Sequence, residues 1–173
     1  LLDRLDDPRY LPTGTDDGRR RLEAGVPDVA VVAGPDVDDE SGVELGGWDR
    51  EWGLVVRSAS DVAGLASLVD GDDRFVNRAT GSGLRRSFDG ELARLAEERG
   101  EPVAALSGAI DGYELTTRAI ESPARTVAAG EADAGLGLRA TAATLDLDFV
   151  PLGTQRVRVL ANPLGKTTGQ ARV

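Results

Sequence analysis

The residues best suited to hold a small charged molecule lie between Arg74 and Arg99, in RFVNRATGSGLRRSFDGELARLAEER. A polar loop, Asn77 to Gly83, carries hydroxyls and flexible glycines. It runs into Leu84, Phe88, Leu92 and Leu95, which recur at helical spacing on one face. The first backbone N–H groups of such a helix have no intrahelical acceptor, and the positive end of its dipole points the same way. Gly83 and Leu84 would offer N–H groups and Ser82 a hydroxyl to an anion, with Arg78, Arg85 and Arg86 adding charge and bidentate donors. Ser82 reads equally as an ordinary N-cap. Two familiar phosphate motifs are absent. Arg86 stands where a dinucleotide fingerprint needs its third glycine, and in this loop no Lys follows a glycine as in a P-loop.

Two further loops have similar chemistry. Thr13-Gly14-Thr15-Asp16-Asp17-Gly18 precedes a helix, with Thr13 and Thr15 as hydroxyl donors, although Asp16 and Asp17 already suit its dipole. Ser122-Pro123 is a helix start in its own right. Arg125 and Arg139 are further candidates for a locally positive patch. The stretch with Asp36, Asp38, Asp39 and Glu40 could hold a cation but lacks EF-hand spacing and reads as a solvated loop.

Several chemistries are excluded within the chain. It has no Cys and no His, hence no disulfide, zinc–thiolate site or Ser-His-Asp triad. An enzyme built on it would need Asp or Glu for acid–base work, and Ser82 has no nearby base to make it a nucleophile. Net charge is −10 with a single Lys, Lys166, which argues against nucleic-acid binding through the general field and resembles the composition of halophile proteins. No apolar run spans a membrane and no signal peptide is visible, so the expected location is cytoplasmic.

Elements to position these loops can be read in order. Leu1, Leu2 and Leu5 suggest a helix end. A helix over Asp17 to Ala24 precedes a continuous buried strand, Val26 to Ala33. Trp48 to Trp52 leads into a strand over Gly53 to Val56, and Ser60 and Asp61 cap a helix over Val62 to Val69. After the Leu84 helix come a short strand around Ile110, a helix through Arg125 to Ala129, a small-residue strand near Ala134, and a helix over Leu138 to Leu145. Strands over Phe149 to Leu152 and Val157 to Ala161 follow, then a polar tail. This alternation predicts α/β architecture with mainly parallel sheets and binding loops at strand C-termini.

The order FVNRATGSGLR, a helix, then ESPARTVAAGEADAGLGLRATAATLDLDFVPLG resembles the periplasmic-binding-protein-like domain (type II, molybdate- and tungstate-binding-protein-like). That domain is fused to the C-terminus of MoeA-type molybdopterin molybdenumtransferases and to molybdate-type helix-turn-helix regulators. GTDDGRRRLEAGVPDVAVVAG and GGWDREWGLVV resemble its first lobe and first crossover. The resemblance implies two lobes with the N-terminal part truncated: residues 1–56 in the first lobe, 57–150 in the second, and 151–173 as the hinge return and last first-lobe strand. It implies an oxyanion such as molybdate or tungstate held by Thr13 and Thr15 from one lobe and by Arg78, Ser82, Gly83, Leu84 and Ser122 from the other, with no metal ligands and no other cofactor. Leu84 replaces a Thr usual in the family, and a family His before the Ser122 helix is absent. The expected role is a sensor or delivery domain linked to molybdenum cofactor biosynthesis, fused to or partnered by a cofactor-biosynthesis or DNA-binding domain. The alternative is a regulatory or interaction module that binds an organic effector or no ligand.

Overall fold

The computed structural model describes residues 11–35, 42–58 and 60–162. In chain order the elements are helix α1 (Thr15–Glu23), strands β1 (Val29–Ala33) and β2 (Val43–Val56), helix α2 (Leu65–Asp70) and strand β3 (Phe75–Arg78). Helices α3 (Gly83–Arg99) and α4 (Val103–Ala109), strand β4 (Thr116–Thr117), helix α5 (Ser122–Ala128), strand β5 (Ala134–Leu138), helix α6 (Arg139–Thr144) and strand β6 (Asp148–Ala161) complete it.

One sheet runs β1-β6-β2-β5-β3-β4. Its spine is the antiparallel pair β2 and β6, in register from Val43↔Ala161 to Val56↔Asp148. Each has 14 residues, about 45 Å of extended chain, long enough to cross from one lobe to the other. At one end β1 pairs with β6 through Val29↔Ala161 to Ala33↔Val157, with α1 packed on it. At the other, β5 pairs with β2 through Trp52↔Leu138 to Val56↔Ala134, and β3 and β4 extend that edge. The fold is therefore α/β and two-lobed, with a mixed sheet where a mainly parallel one was expected. The two crossover strands run in opposite directions, so β1/β6, β2/β6 and β2/β5 are antiparallel while β3/β5 and β3/β4 are parallel.

Helix α3 is the largest apolar contributor to the second lobe. Leu84, Phe88, Leu92 and Ala96 are each at most 1% exposed, the i, i+4 stripe that buries one helix face. Phe88 stacks on Phe75 at 5.1 Å between centroids. Gly100 ends the helix at φ 66°, its N–H reaching Ala96 and Glu97 carbonyls, a left-handed cap that glycine adopts without Cβ strain.

Other expectations shift. β1 alternates rather than being buried throughout: Ala30 and Val32 face α1, while Val29 and Val31 are exposed. The two C-terminal strands are one, because a bulge between Trp52 and Gly53 absorbs the irregularity at Pro151. β2 begins before its glycines, at Val43. The α2 helix starts only at Leu65, where the Ser67 hydroxyl accepts the N–H groups of Ala63 and Gly64. Ile110 caps helix α4 in place of a strand. The Leu1 to Leu5 helix, the acidic loop at Asp36, Asp38, Asp39 and Glu40, and the tail after Asn162 lie outside the described residues.

Candidate functional site

The Thr13–Gly18 and Asn77–Gly83 loops lie on the same side of the molecule, in direct contact. The Asp16 N–H donates to the Gly81 carbonyl at 3.3 Å. A Cβ at Gly83 would stand 1.7 Å from the Ala33 carbonyl oxygen, and one at Gly14 would stand 2.7 Å from that of Gly81. Backbone thus fills the space expected to be a cleft between them. The hydroxyls of this wall are engaged locally. Thr15 Oγ1 donates to the Ala33 carbonyl at 2.8 Å, and Thr13 Oγ1 donates to the Gly14 carbonyl at 3.0 Å. Asp16 forms an ion pair with Arg86, so a carboxylate stands between this loop and α3.

Across from them, the start of α3 keeps donors available. Ser82 is 7% exposed and its hydroxyl makes no cap bond; its N–H donates to the Ala79 carbonyl at 2.9 Å. Gly83 and Leu84 form the first turn, where amides lack intrahelical acceptors. Arg78, 7% exposed at the end of β3, donates through Nη1 to the Ala119 carbonyl. The same carbonyl accepts the Ser122 N–H at 3.2 Å, which brings the start of α5 to Arg78. Ser122 is the first residue of that helix, and Glu121 takes the cap position expected of Ser122. Arg78 Nε is buried without an acceptor, as is the Oγ1 of Thr117, which stands opposite Arg78 in the β3–β4 register.

Arg50 and Gln155 escape a reading of the sequence. They pair across β2 and β6, and Gln155 Oε1 accepts from Arg50 Nε at 3.1 Å and Nη2 at 2.6 Å. Gln155 Nε2 donates to the Gly83 carbonyl at 2.9 Å and to Ser87 Oγ at 2.8 Å. One buried amide therefore links the crossover strands to the first turn of α3. In WDREW, Arg50 sits between two acids and looks like part of a solvated charge run. Strand alternation supplies the missing signal: Asp49 faces Arg156 and Glu51 pairs with Arg139, while Arg50 points the other way.

The cations around the site divide into two kinds. Arg85 pairs with Asp89 at 2.8 Å and lies 4.2 Å above the Tyr113 ring. Burial disfavours its charge, but hydrogen bonds with Asp89 and Tyr113 outweigh that and hold its pKa above the usual guanidinium value. Arg125 and Arg139, expected to leave a positive patch, are each paired, with Glu121 and Glu51. Arg50 and Arg78 have no carboxylate partner among the described residues. Burial pulls both below the usual value, and for Arg78 the neighbouring Arg50 charge adds to the shift. Guanidinium stays protonated at neutral pH all the same, so each of these positive charges is held with only neutral acceptors.

One helical turn from Gly83, a cavity of about 460 Å³ opens between α3 and the crossover strands, lined in part by Gly34, Trp52, Ser87, Glu91 and Gln155. Thr13, Thr15 and Ser82 do not line it. Among the described residues no group of His, Cys, Asp or Glu could hold a metal ion, and no helix is long and apolar enough to cross a membrane.

Comparison with known proteins gives a consistent picture. Residues 12–163 match the family model described as the PBP superfamily domain. The uncharacterized protein YvgK of Bacillus subtilis (strain 168) is 31% identical over 105 residues, which is 60% of this chain and 32% of that protein. The chain thus spans about a third of this relative. Among solved structures, the AvGluR1 ligand binding domain in complex with phenylalanine superposes with a TM-score of 0.63 at 15% identity, over 90% of this chain and 63% of that one. The regulatory domain of CcmR from Synechocystis PCC6803, in complex with 2-PG, superposes with a TM-score of 0.59 at 17% identity, over 93% and 74%.

Proposed function

From the premise that this chain belongs to the PBP superfamily domain family, we propose that it is a ligand-binding domain, a sensor or delivery module. Its ligand in this reading is a small oxyanion such as molybdate or tungstate, taken at the start of α3. The observation that carries the reading is Arg78, a buried guanidinium with an unpartnered Nε and no carboxylate partner among the described residues, at the end of β3 in the loop that leads to Ser82 and the first turn of a long helix. A buried charge without a partner is costly, and an anion there removes the cost. Thr13 and Thr15 drop out as direct ligands in this reading, because their hydroxyls already serve the backbone. Ser122 contributes through the Ala119 carbonyl it shares with Arg78. Of the described residues, those up to Val56 belong to the first lobe, those within 57–150 to the second, and 151–162 return to the first. The domain has no catalytic role. It acts in the cytoplasm beside a fused or partner domain for molybdenum cofactor biosynthesis or DNA binding.

A second reading has a specific observation in its favour. A guanidinium fork matches a carboxylate as well as an oxyanion. AvGluR1 and CcmR, similar in fold, are seen with phenylalanine and 2-PG. On this reading the domain is a regulatory module for an organic effector.

Titration calorimetry with molybdate, tungstate, phenylalanine and 2-phosphoglycolate separates them, using the wild type, Ser82→Ala and Arg78→Gln. Hydrogen bonds to a charged group contribute about 1.5–3 kcal/mol each, so Ser82→Ala lowers oxyanion affinity roughly tenfold to a hundredfold. Ser82 makes no cap bond, so the unfolding midpoint should barely move. Unchanged affinity with a lowered midpoint refutes the role given to Ser82. Loss of an organic acid on Arg78→Gln, with no oxyanion bound by the wild type, favours the second reading.

A further inference from the structure

The amide of Gln155 has only one workable orientation. Its Nε2 donates to the Gly83 carbonyl and to Ser87 Oγ, while Oε1 accepts twice from Arg50. Turning the amide over would set its oxygen against the Gly83 carbonyl and its NH2 group against a guanidinium, which can only donate. Gln155 is 3% exposed, so water does not compete for these positions. Arg50 is consequently held in a fixed direction by a neutral partner. A Glu at the same position would cancel the charge of Arg50, and would also set a carboxylate oxygen against the Gly83 carbonyl. A Gln orients the charge and leaves it uncompensated.

That charge belongs to the Arg78 site. From Arg50 the hydrogen bonds run through Gln155 to Gly83, the first residue of α3, and Ser82 and Arg78 precede it on the chain. The electrostatic influence of Arg50 on Arg78 agrees with this proximity. The other cations here are matched: Arg85 with Asp89 and Arg86 with Asp16. The acids flanking Arg50 in sequence, Asp49 and Glu51, are turned to Arg156 and Arg139. Two positive charges linked to the start of α3 therefore have no carboxylate partner among the described residues.

We propose that Arg50 is the second cation of the ligand site, that Gln155 is its positioning residue, and that the pair sets a preference for dianions over monoanions of the same shape. This rests on the anion-binding reading above and deepens it by naming the charge class. The physical basis is that a dianion satisfies two guanidiniums at once, whereas a monoanion leaves them repelling each other.

Tungstate and perrhenate test it, since both are tetrahedral oxyanions of similar size that differ by one charge. Both are titrated by calorimetry into wild type, Arg50→Lys, Arg50→Gln, Gln155→Glu and Arg78→Gln. Circular dichroism and unfolding midpoints establish that each variant is folded. Wild type should prefer tungstate by about tenfold or more. Arg50→Gln and Gln155→Glu should both cut that preference severalfold. Arg50→Lys, which keeps the charge and loses the fork, should bind more weakly with the preference retained. A purely structural role for Gln155 would lower the midpoint without changing the ratio. If Arg50→Gln does not fold, Gln155→Glu against Arg50→Lys decides. Wild-type preference in both Arg50→Gln and Gln155→Glu, with tungstate lost only in Arg78→Gln, overturns this inference and leaves the site standing. A wild type that binds neither anion overturns both.

Discussion

Gly83→Ala puts the contact between the lobes to a quantitative test. In an exposed first turn the change would be mildly favourable, because Ala outranks Gly in helix propensity by up to about 1 kcal/mol. At Gly83 the new methyl would stand 1.7 Å from the Ala33 carbonyl oxygen and 2.9 Å from Thr15 Oγ1. Reaching an ordinary contact of about 3.5 Å requires a relative backbone shift of roughly 1.8 Å. Such overpacking typically costs about 1–3 kcal/mol. The shift also strains the Thr15–Ala33 and Asp16–Gly81 hydrogen bonds, each worth about 1 kcal/mol. The expected net loss is about 2–4 kcal/mol, a fall of roughly 4–16 °C in the unfolding midpoint for a chain of this size. Gly90→Ala in the same helix is the control, since its Cβ would meet nothing within 4 Å; it should gain about 0.5–1 kcal/mol. Calorimetric or circular-dichroism melts of both variants read the signs directly. A Gly83→Ala protein as stable as wild type would refute the close packing of α3 against the end of β1.

Two further outcomes concern the second lobe. Phe88→Ala removes a fully buried ring stacked on Phe75 and should cost about 3–5 kcal/mol in urea unfolding; a loss below about 1 kcal/mol would mean that this face of α3 is not core. Asp73 has its pKa raised, first by burial and then by the charges of Asp133, Asp61 and Asp72. A carboxyl with a raised folded-state pKa favours the fold at low pH, and that contribution is lost as pH rises through the folded value. Asp73→Asn should accordingly raise the melting midpoint at pH 7 and low salt, with the gain shrinking below the ordinary carboxylate range. A gain equal at all pH values would contradict this assignment.

What the sequence disclosed followed from how local each signal was. The stripe Leu84, Phe88, Leu92 and the stop at Gly100 depend on residues within one helix, and α3 forms where periodicity places it. The crossover strands were harder to see. Gly46 and Gly47 lower strand propensity, and the polar Gly153-Thr154-Gln155-Arg156 separates the two C-terminal apolar runs, yet both are tolerated because β2 and β6 support each other along their full lengths. Pairing direction was hidden for the same reason, since local alternation of strands and helices says nothing of a partner a hundred residues away. In the site, the position of Arg78 next to the Ser82 loop was visible. The use of Thr15 on the Ala33 carbonyl was not, because it depends on how the end of β1 meets α1. Arg50 and Gln155 were hidden by their neighbours in sequence, and only register sets them face to face.

The length of the β2–β6 ladder bears on how this protein is made. Arg50 and Gln155 bond across 105 positions of chain. At a synthesis rate of about 5–20 residues per second, β2 waits roughly 5–20 s for β6 to emerge. Throughout that interval Trp52, Leu54, Val55 and Val56, all buried in the finished sheet, lack β6, and for most of it they lack β5 as well. Pairing at such sequence separation is also slow, because the loop must close before the contacts reward it. A stop before Ala134 therefore leaves the apolar segment of β2, Trp52 to Val56, with two open edges and prone to aggregate.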